Sequence, residues 1–274
     1  GQRMSDFLST ENLTVGYDGQ PLIRDVCLSV QRGRIVTLIG PNGSGKSTLS
    51  SMIAGVYPPT KGTMTYKSKP YKPGSVLEAR KAGIQYLTQE QGTIDGMTVA
   101  ENMFLGEEDR FGKHGTVDIR QVNAHAKQIL EANNLRDVDP AHRIDDYSFE
   151  DRKMIETARA LSKQPDILII DETTTALSKK GVERIYEIIE EQTAKGTAIL
   201  IISHDLAEVQ KLCDEVVILR DGVYIDTLRG EDINPDNMRQ KMIGRELEGS
   251  YYRDDFVCSY DDEVVLSVKD LSVD

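Results

Sequence analysis

The sequence has 274 residues, of which 39% are hydrophobic and 28% charged, a composition typical of a globular protein with a buried core. Its formal net charge of −12 argues against nucleic acid as a partner, because nucleic-acid-binding surfaces usually carry a basic excess. No apolar run approaches the roughly 18 residues of a membrane span, so work at a membrane would need another subunit to hold the protein there.

The first part of the chain alternates short apolar runs with turns. Its pattern predicts a β-hairpin, then a buried strand that enters a glycine-rich turn and a helix, then two further strands. In chain order these elements are the hairpin at 7–30 with its turn at Asp18–Gly19, the strand at 34–39, the helix at 46–55, and the strands at 63–66 and 83–88.

From about Thr98 to Ser162 the apolar residues recur every three or four positions, which predicts helices. Beyond this region, buried strands alternate with helices, and a hairpin with its turn at Asp221–Gly222 follows. Such alternation indicates an α/β fold whose mostly parallel sheet is covered by helices on both faces. The predicted elements are helices at 99–105, 122–134, 153–162, 184–192 and 206–213, strands at 166–170 and 197–203, and the hairpin at 215–228.

Two short segments near the ends of the chain resemble each other. FLSTENLTV at 7–15 and VLSVKDLSV at 265–273 share four residues at the same spacing. We interpret this repeat as the start of a second copy of the domain near residue 264, although a chance similarity between two strands is the alternative.

The glycine-rich turn GPNGSGKS at 40–47 fits the pattern G-x-x-x-x-G-K-[ST] of a phosphate-binding loop. It follows a predicted buried strand and precedes a predicted helix, which is the context that this motif requires. Glycines let backbone N–H groups turn toward phosphate oxygens, the lysine reaches the terminal phosphates, and the hydroxyl can ligate Mg²⁺. The predicted nucleotide-binding residues of this turn are Gly40, Asn42, Gly43, Ser44, Gly45, Lys46, Ser47 and Thr48.

A pair of acids ends the predicted strand DILII at 166–170. Asp171 is placed to hold Mg²⁺ through water, together with Ser47. Glu172 follows directly, so it is expected to point the other way and to reach a water in line with the γ-phosphate. Behind an intact phosphate loop, this pair favours nucleotide hydrolysis over a pair of solvated acids at a strand end.

The residues from about 7 to 248 resemble an ATP-binding-cassette (ABC) ATPase, with its motifs in the family's order. The resemblance implies a P-loop NTPase core, an N-terminal antiparallel β subdomain and a helical subdomain at about 90–162. Tyr17 falls where the family stacks an aromatic ring on adenine. Gln89 matches the Q-loop, which implies a link between Mg²⁺, the γ-phosphate and a membrane subunit. His204 matches the switch histidine, which contacts the γ-phosphate.

The segments TVAENMFLG at 98–106 and MIGREL at 242–247 are similar to the first cassette of tandem ATPases in bacterial sugar importers. This resemblance implies a cassette at 5–248, a linker at 249–263 and the start of a second cassette at 264–274. It also implies permease subunits and, indirectly, a sugar-binding protein as partners, and a position on the cytoplasmic side of the membrane. The alternatives are a soluble tandem ATPase that acts on ribosomes and a nucleotide-gated module with little turnover.

In this family two cassettes enclose each ATP between the phosphate loop of one and a signature turn, usually LSGGQ, of the other. Here that position reads YSFED at 147–151, so Ser148 is kept but both glycines are replaced. Ser148 is predicted to cap the next helix. Glu150 and Asp151 would oppose a nucleotide, because two like charges about 4 Å apart cost roughly 4 kcal/mol at an effective dielectric of 20. Arg152 is expected to offset part of this charge. We therefore expect two unequal ATP sites, with Lys46, Glu172 and His204 in the stronger one.

Overall fold

A computed structural model describes residues 7–17, 20–113 and 116–244. The predicted turn at Asp18–Gly19, the linker at 249–263 and the repeat at 264–274 lie outside the described residues. Among the helices that are described, none is long and apolar enough to cross a bilayer.

The described residues form the following strands and helices. The strands are β1 (Leu8–Tyr17), β2 (Gln20–Val30), β3 (Ile35–Ile39), β4 (Lys61–Tyr66), β5 (Lys69–Pro70), β6 (Ile84–Leu87), β7 (Gly112–Lys113), β8 (Thr116–Val117), β9 (Ile167–Asp171), β10 (Ala198–Ile202), β11 (Glu215–Arg220) and β12 (Val223–Arg229). The helices are α1 (Lys46–Ile53), α2 (Val76–Ala82), α3 (Val99–Phe104), α4 (Ile119–Ala132), α5 (Phe149–Leu161), α6 (Lys179–Ala194), α7 (Leu206–Leu212) and α8 (Pro235–Ile243).

One ten-stranded sheet runs through the molecule in the order β5-β4-β1-β2-β12-β11-β3-β10-β9-β6. From β11 to β6 the neighbouring strands are parallel, whereas β1, β2, β4 and β5 pair antiparallel. The antiparallel part joins the parallel part through β12 and β2, which pair at Val223 and Arg24. The predicted α/β class, with a parallel core and an N-terminal antiparallel part, is confirmed.

The parallel strands are buried on both faces, as their continuous apolar runs predict. On β9, Ile167 and Ile169 belong to the core cluster that also contains α1, whereas Leu168 and Ile170 pack in the cluster that contains Ile185 of α6. This alternation follows from the two-residue period of a strand. The sheet therefore separates two apolar layers and has a fixed register between them.

The region between β6 and β9 has a core of its own, built by α3, α4 and α5. Its centre is formed by apolar side chains of all three helices, among them Met103, Leu130 and Ile155. The short hairpin of β7 and β8 lies in the same region and was not predicted from the sequence. Helices α2 and α8 were also missed, because each buries a single residue and so shows little periodicity.

The carboxyl ends of three parallel strands meet at one edge of the sheet. β3 runs into the turn that begins at Gly40, β9 ends at Asp171, and β10 ends two residues before His204. The register places Ile202 opposite both Leu38 and Asp171, so these ends lie side by side. In open parallel sheets this edge is where ligands bind.

Candidate nucleotide-binding site

The turn between β3 and α1 is shaped by glycines at points of close contact. A Cβ atom on Gly40 would lie 2.0 Å from the carbonyl oxygen of Leu219, and one on Gly45 would lie 2.0 Å from Cγ2 of Ile23. Gly45 also has a φ of 94°, which L side chains rarely adopt. The turn therefore depends on glycine at both ends of its loop.

The amino end of α1 is not capped by its own sequence. Gly45 supplies no side-chain cap, and the first turn of the helix contains no acid. Just before it, the buried Ser44 hydroxyl has no hydrogen-bond partner within the described part of the chain. A helix end with free N–H groups and an unpartnered buried hydroxyl fits a phosphate group.

Lys46 is buried inside this turn. Its Nζ donates hydrogen bonds to the carbonyl oxygens of Gly40 at 2.9 Å and Pro41 at 3.1 Å. Burial lowers the pKa of Lys46, and the nearby carboxylates of Glu172 and Asp171 act in the opposite direction. The ammonium group is therefore held within the phosphate loop, close to two carboxylates.

Ser47 and Asp171 are brought together as predicted for a metal site. The Ser47 hydroxyl donates to Oδ1 of Asp171 at 3.3 Å, and the Tyr86 hydroxyl donates to Oδ2 at 2.8 Å. Burial raises the pKa of Asp171, while both hydrogen bonds act to lower it. A serine hydroxyl and one carboxylate suit Mg²⁺, which keeps most of its shell for water and phosphate oxygens. The part played by Tyr86 was not predicted, since its partner lies on another strand.

Glu172 and His204 lie side by side at the same edge of the sheet. Nδ1 of His204 is 3.6 Å from Oε1 of Glu172. The Glu172 backbone is left-handed, with a φ of 43°, and its N–H donates to the carbonyl of Ile202 at 3.0 Å. The strand therefore ends in a sharp turn at Glu172. Strained backbone of this kind is often found at functional sites.

The other predicted ligands of this site are less closely assembled. Asn42 and Gly43 are exposed, and Thr48 is half-buried at the start of α1. Gln89 is exposed on the loop after β6, and its side chain has no hydrogen-bond partner among residues 7–17, 20–113 and 116–244. The structure therefore does not join Gln89 to Ser47 and Asp171. Tyr17 ends β1, and its side chain lies outside what is described.

The loop that carries Gln89 is fastened to α5 by a buried lysine. Nζ of Lys153 donates to the carbonyl oxygens of Thr88 at 2.8 Å and Glu90 at 2.9 Å, and to Oε2 of Glu156 at 2.9 Å. The Lys153 side chain is fully buried. Sequence reasoning missed this contact, because Lys153 appears there only as a polar residue of an amphipathic helix.

The turn at 147–151 forms a capped helix start, as predicted. The Ser148 hydroxyl accepts the Asp151 N–H at 3.2 Å and donates to the Asp151 carboxylate at 2.6 Å. Phe149 is 37% exposed, so its ring stands at the surface of the turn.

Arg152 does not reach the acids of this turn through any described hydrogen bond. Its guanidinium donates to Asp95 at 2.8 Å and to the carbonyl oxygens of Asp145 and Tyr147. The expectation that Arg152 offsets the charge of Glu150 and Asp151 therefore has no contact to support it.

A phosphate loop before an uncapped helix, with Asp171 at the end of the neighbouring strand β9, defines a P-loop nucleotide-binding protein. The family model described as ABC transporter matches residues 23–175. The chain belongs to the ABC transporter family, as a cassette of its ATP-binding part.

Relatives in several bacteria match nearly all of the chain. It is 36% identical over 266 residues to a ribose/galactose/methyl galactoside import ATP-binding protein of Pseudomonas syringae pv. tomato, covering 97% of this chain and 50% of the relative. It is 34% identical over 265 residues to a protein of the same name from Halalkalibacterium halodurans, again covering 97% and 50%. The chain thus spans about half the length of these curated relatives.

Solved structures of ABC cassettes have the same fold. One is an ATP-binding cassette of an ABC transporter in its ADP conformation, with a TM-score of 0.74 and 28% identity over 88% of this chain and 98% of that one. A nucleotide-free cassette gives a TM-score of 0.74 at 26% identity, over 88% of this chain and 96% of the other.

Proposed function

We propose that this chain binds and hydrolyses ATP and thereby powers the import of a sugar through a membrane transporter. The observation that carries the proposal is the uncapped start of α1, with Glu172 and His204 beside it at the same sheet edge. The names of the curated relatives support sugar import, and they specify two monosaccharides, ribose and galactose, and the simple glycoside methyl galactoside. The ribosome-associated alternative is not carried forward, because no described feature favours it.

The residues of the site have distinct roles in this proposal. The N–H groups at the start of α1, the Ser44 hydroxyl and Lys46 bind the phosphates of ATP and neutralise part of their charge. Glu172 accepts a proton from the attacking water, and His204 orients the terminal phosphate beside it. Tyr17 stacks on the adenine, and Gln89 approaches the γ-phosphate once nucleotide is bound.

Ser47 and Asp171 would hold Mg²⁺, with Gln89 as a further ligand from the loop after β6. Held by these residues, the ion would supply positive charge that offsets the negative charge developing during phosphoryl transfer. Among the described residues no cluster of three or more His, Cys, Asp or Glu side chains offers another metal site. A site of one hydroxyl and one carboxylate is what a phosphate-bound Mg²⁺ requires.

We further propose a second cassette as partner in the same protein and a functional difference between its two ATP sites. Ser148 is the one phosphate ligand that the turn at 147–151 retains, and its hydroxyl is already bonded to Asp151. Negative charge at 150 and 151 repels a nucleotide held by the other cassette. The site built on Lys46, Glu172 and His204 therefore carries most of the hydrolysis.

The permease subunits are proposed to dock in a groove of about 400 Å³ between α2, α3 and α5. Leu77 and Leu105 are exposed there at 46% and 43%, beside the basic side chains of Arg80 and Lys81. The groove lies between the sheet core and the helical part, so an occupant would touch both. A permease segment with apolar and acidic side chains fits this lining, and it would hold the chain at the cytoplasmic face of the membrane.

The test is Glu172→Gln in the protein that carries both cassettes. Loss of the carboxylate removes the proton acceptor without changing the shape of the site, so we expect ATP turnover to fall at least about 10²-fold. ATP binding, measured by the nucleotide-induced rise in Tm, should stay near the wild-type value. Glu187→Gln on the exposed face of α6 is the matched control. Turnover that stays near the wild-type rate would overturn the assignment of Glu172 and of the dominant site.

A further inference from the structure

Glu150, at the start of α5, binds a residue of a different element. Its Oε2 accepts the Ser178 N–H at 2.8 Å, and its Oε1 accepts the Ser178 hydroxyl at 2.9 Å. Ser178 is the N-cap of α6, and its hydroxyl in turn accepts the Gly181 N–H at 3.1 Å. We call these three residues, Glu150, Ser178 and Gly181, the α5–α6 clasp.

The partners in this clasp fit each other in shape and charge. A Cβ atom on Gly181 would lie 2.8 Å from Cδ of Glu150, so the carboxylate approaches because residue 181 has no side chain. The first turn of α6 contains no acid of its own. The Glu150 carboxylate therefore supplies negative charge to the positive ends of two helices, α5 and α6.

The clasp lies at the end of the segment that carries Glu172. At its start, the Glu172 N–H is bonded to β10 through the carbonyl of Ile202. Within the segment, the Thr175 hydroxyl donates to the carbonyl of Glu172 at 3.2 Å. At its end, Ser178 is held by Glu150. The segment 172–178 is thus fixed at both ends, and one of its anchors belongs to the helical part of the molecule.

We propose that Glu150 is a positioning residue for ATP hydrolysis at this chain's own nucleotide site. Through Ser178 it fixes the segment 172–178, so the docking of α5 against the core sets the position of the Glu172 carboxylate. This inference rests on the proposed function. It gives Glu150 a second effect: the acid that opposes a nucleotide at the turn 147–151 supports hydrolysis at the other site.

The experiment compares Glu150→Ala with Glu150→Gln in the protein that carries both cassettes. The alanine variant loses both bonds to Ser178, so kcat for ATP should fall about tenfold, because small displacements of a catalytic group have large effects on rate. KM should stay within about twofold, since the phosphate loop is unchanged. The glutamine amide can accept the Ser178 N–H and donate to the Ser178 hydroxyl, so this variant should keep kcat within about twofold of the wild type.

A second measurement follows the clasp without using activity. Hydrogen–deuterium exchange of peptides that cover 173–181 should be faster in Glu150→Ala and unchanged in Glu150→Gln. Glu187→Ala is the matched control, because Glu187 is an acid of α6 that pairs with Arg184 and not with Ser178. If Glu150→Ala does not fold, Ser178→Ala and Ser178→Thr provide the same comparison at the other end, with threonine expected to restore kcat.

The outcomes separate this inference from the proposed function. A normal kcat in Glu150→Ala, or an equal loss of kcat in Glu150→Gln, would overturn the positioning role even in an active ATPase. Unchanged exchange at 173–181 in Glu150→Ala would overturn it as well, and this result does not depend on turnover. A wild-type protein that binds but never hydrolyses ATP would instead contradict the proposed function, whatever the exchange measurement shows.

Discussion

The molecule contains two helix starts that are proposed to supply the two halves of ABC nucleotide sites, and they are built in opposite ways. α1 begins at Gly45 with no side-chain cap and no acid in its first turn. α5 begins at Ser148, whose hydroxyl caps the helix, and has Glu150 and Asp151 in its first turn. The sequence leaves the first helix start open for a ligand and fills the second with its own side chains.

This difference shows why a favourable helix start can be an unfavourable binding site. The same N–H groups that a phosphate would need at α5 are close to carboxylates of the chain itself, which stabilise the helix in the absence of any ligand. At α1 the stabilising partner is missing, so a phosphate would supply it. Helix stability and anion binding thus compete for one set of donors.

The largest expected effect comes from removing the charge inside the open site. Lys46→Ala should lower ATP turnover of the two-cassette protein at least about 10²-fold, because a buried cation that binds the phosphates is lost. The rise in Tm on adding Mg²⁺ and ATP should disappear. Lys69→Ala, at an exposed position in β5, should behave like the wild type. A Lys46→Ala protein that still gains Tm with nucleotide would show that phosphates bind elsewhere.

A smaller effect is expected from replacing the side chains that occupy the start of α5. Phe149→Gly, Glu150→Gly and Asp151→Gln, combined in a Glu172→Gln background, leave only the site that uses the turn at 147–151. Its residual turnover should rise about tenfold, because removal of about 1.4 kcal/mol of repulsion changes a rate by that factor. Glu131→Gln, an exposed acid of α4, is the control in the same background. No gain in steady-state ATPase would mean that these acids do not limit this site.

The smallest expected effect concerns the stability that the folded protein loses when the buried Asp171 ionises. Burial raises the pKa of Asp171, so its contribution to stability is present below the unfolded pKa of about 3.9 and is lost as the pH rises through the folded value. Asparagine at 171 cannot ionise. Without nucleotide, the Tm of Asp171→Asn minus the Tm of the wild type should therefore increase by about 2 °C between pH 4.5 and pH 8.

The control for this measurement is Asp109→Asn, which removes an exposed carboxylate outside the site. The stabilisation by Mg²⁺ and ATP should be lost in Asp171→Asn alone. A Tm difference that shrinks toward pH 8 would contradict the stated direction.

The sequence predicted the central sheet and the turn between β3 and α1 well, because both rest on local patterns. Apolar runs of four and five residues identify β9 and β10, and the spacing of Gly40, Gly45 and Lys46 predicts the phosphate loop. The cap between Ser148 and Asp151 was also predictable, since it joins residues three positions apart. These features need no knowledge of which elements pack together.

The contacts that were missed join residues far apart in the chain. Glu150 and Ser178 are 28 positions apart, and Tyr86 and Asp171 are 85 apart. Lys153 binds carbonyl oxygens, which no sequence pattern reveals. Such contacts depend on how helices and strands are placed against each other, so a single sequence gives no signal for them.

The close contact at Gly181 also constrains the order in which this protein can change over generations. A larger residue at 181 would push the Glu150 carboxylate away from Ser178, so such a change has less effect once residue 150 has become smaller. Glycine at 150 meets no steric obstacle and would free position 181 to vary, but it removes both bonds to Ser178. A larger residue at 181 is therefore expected to follow a change at 150 rather than to precede it.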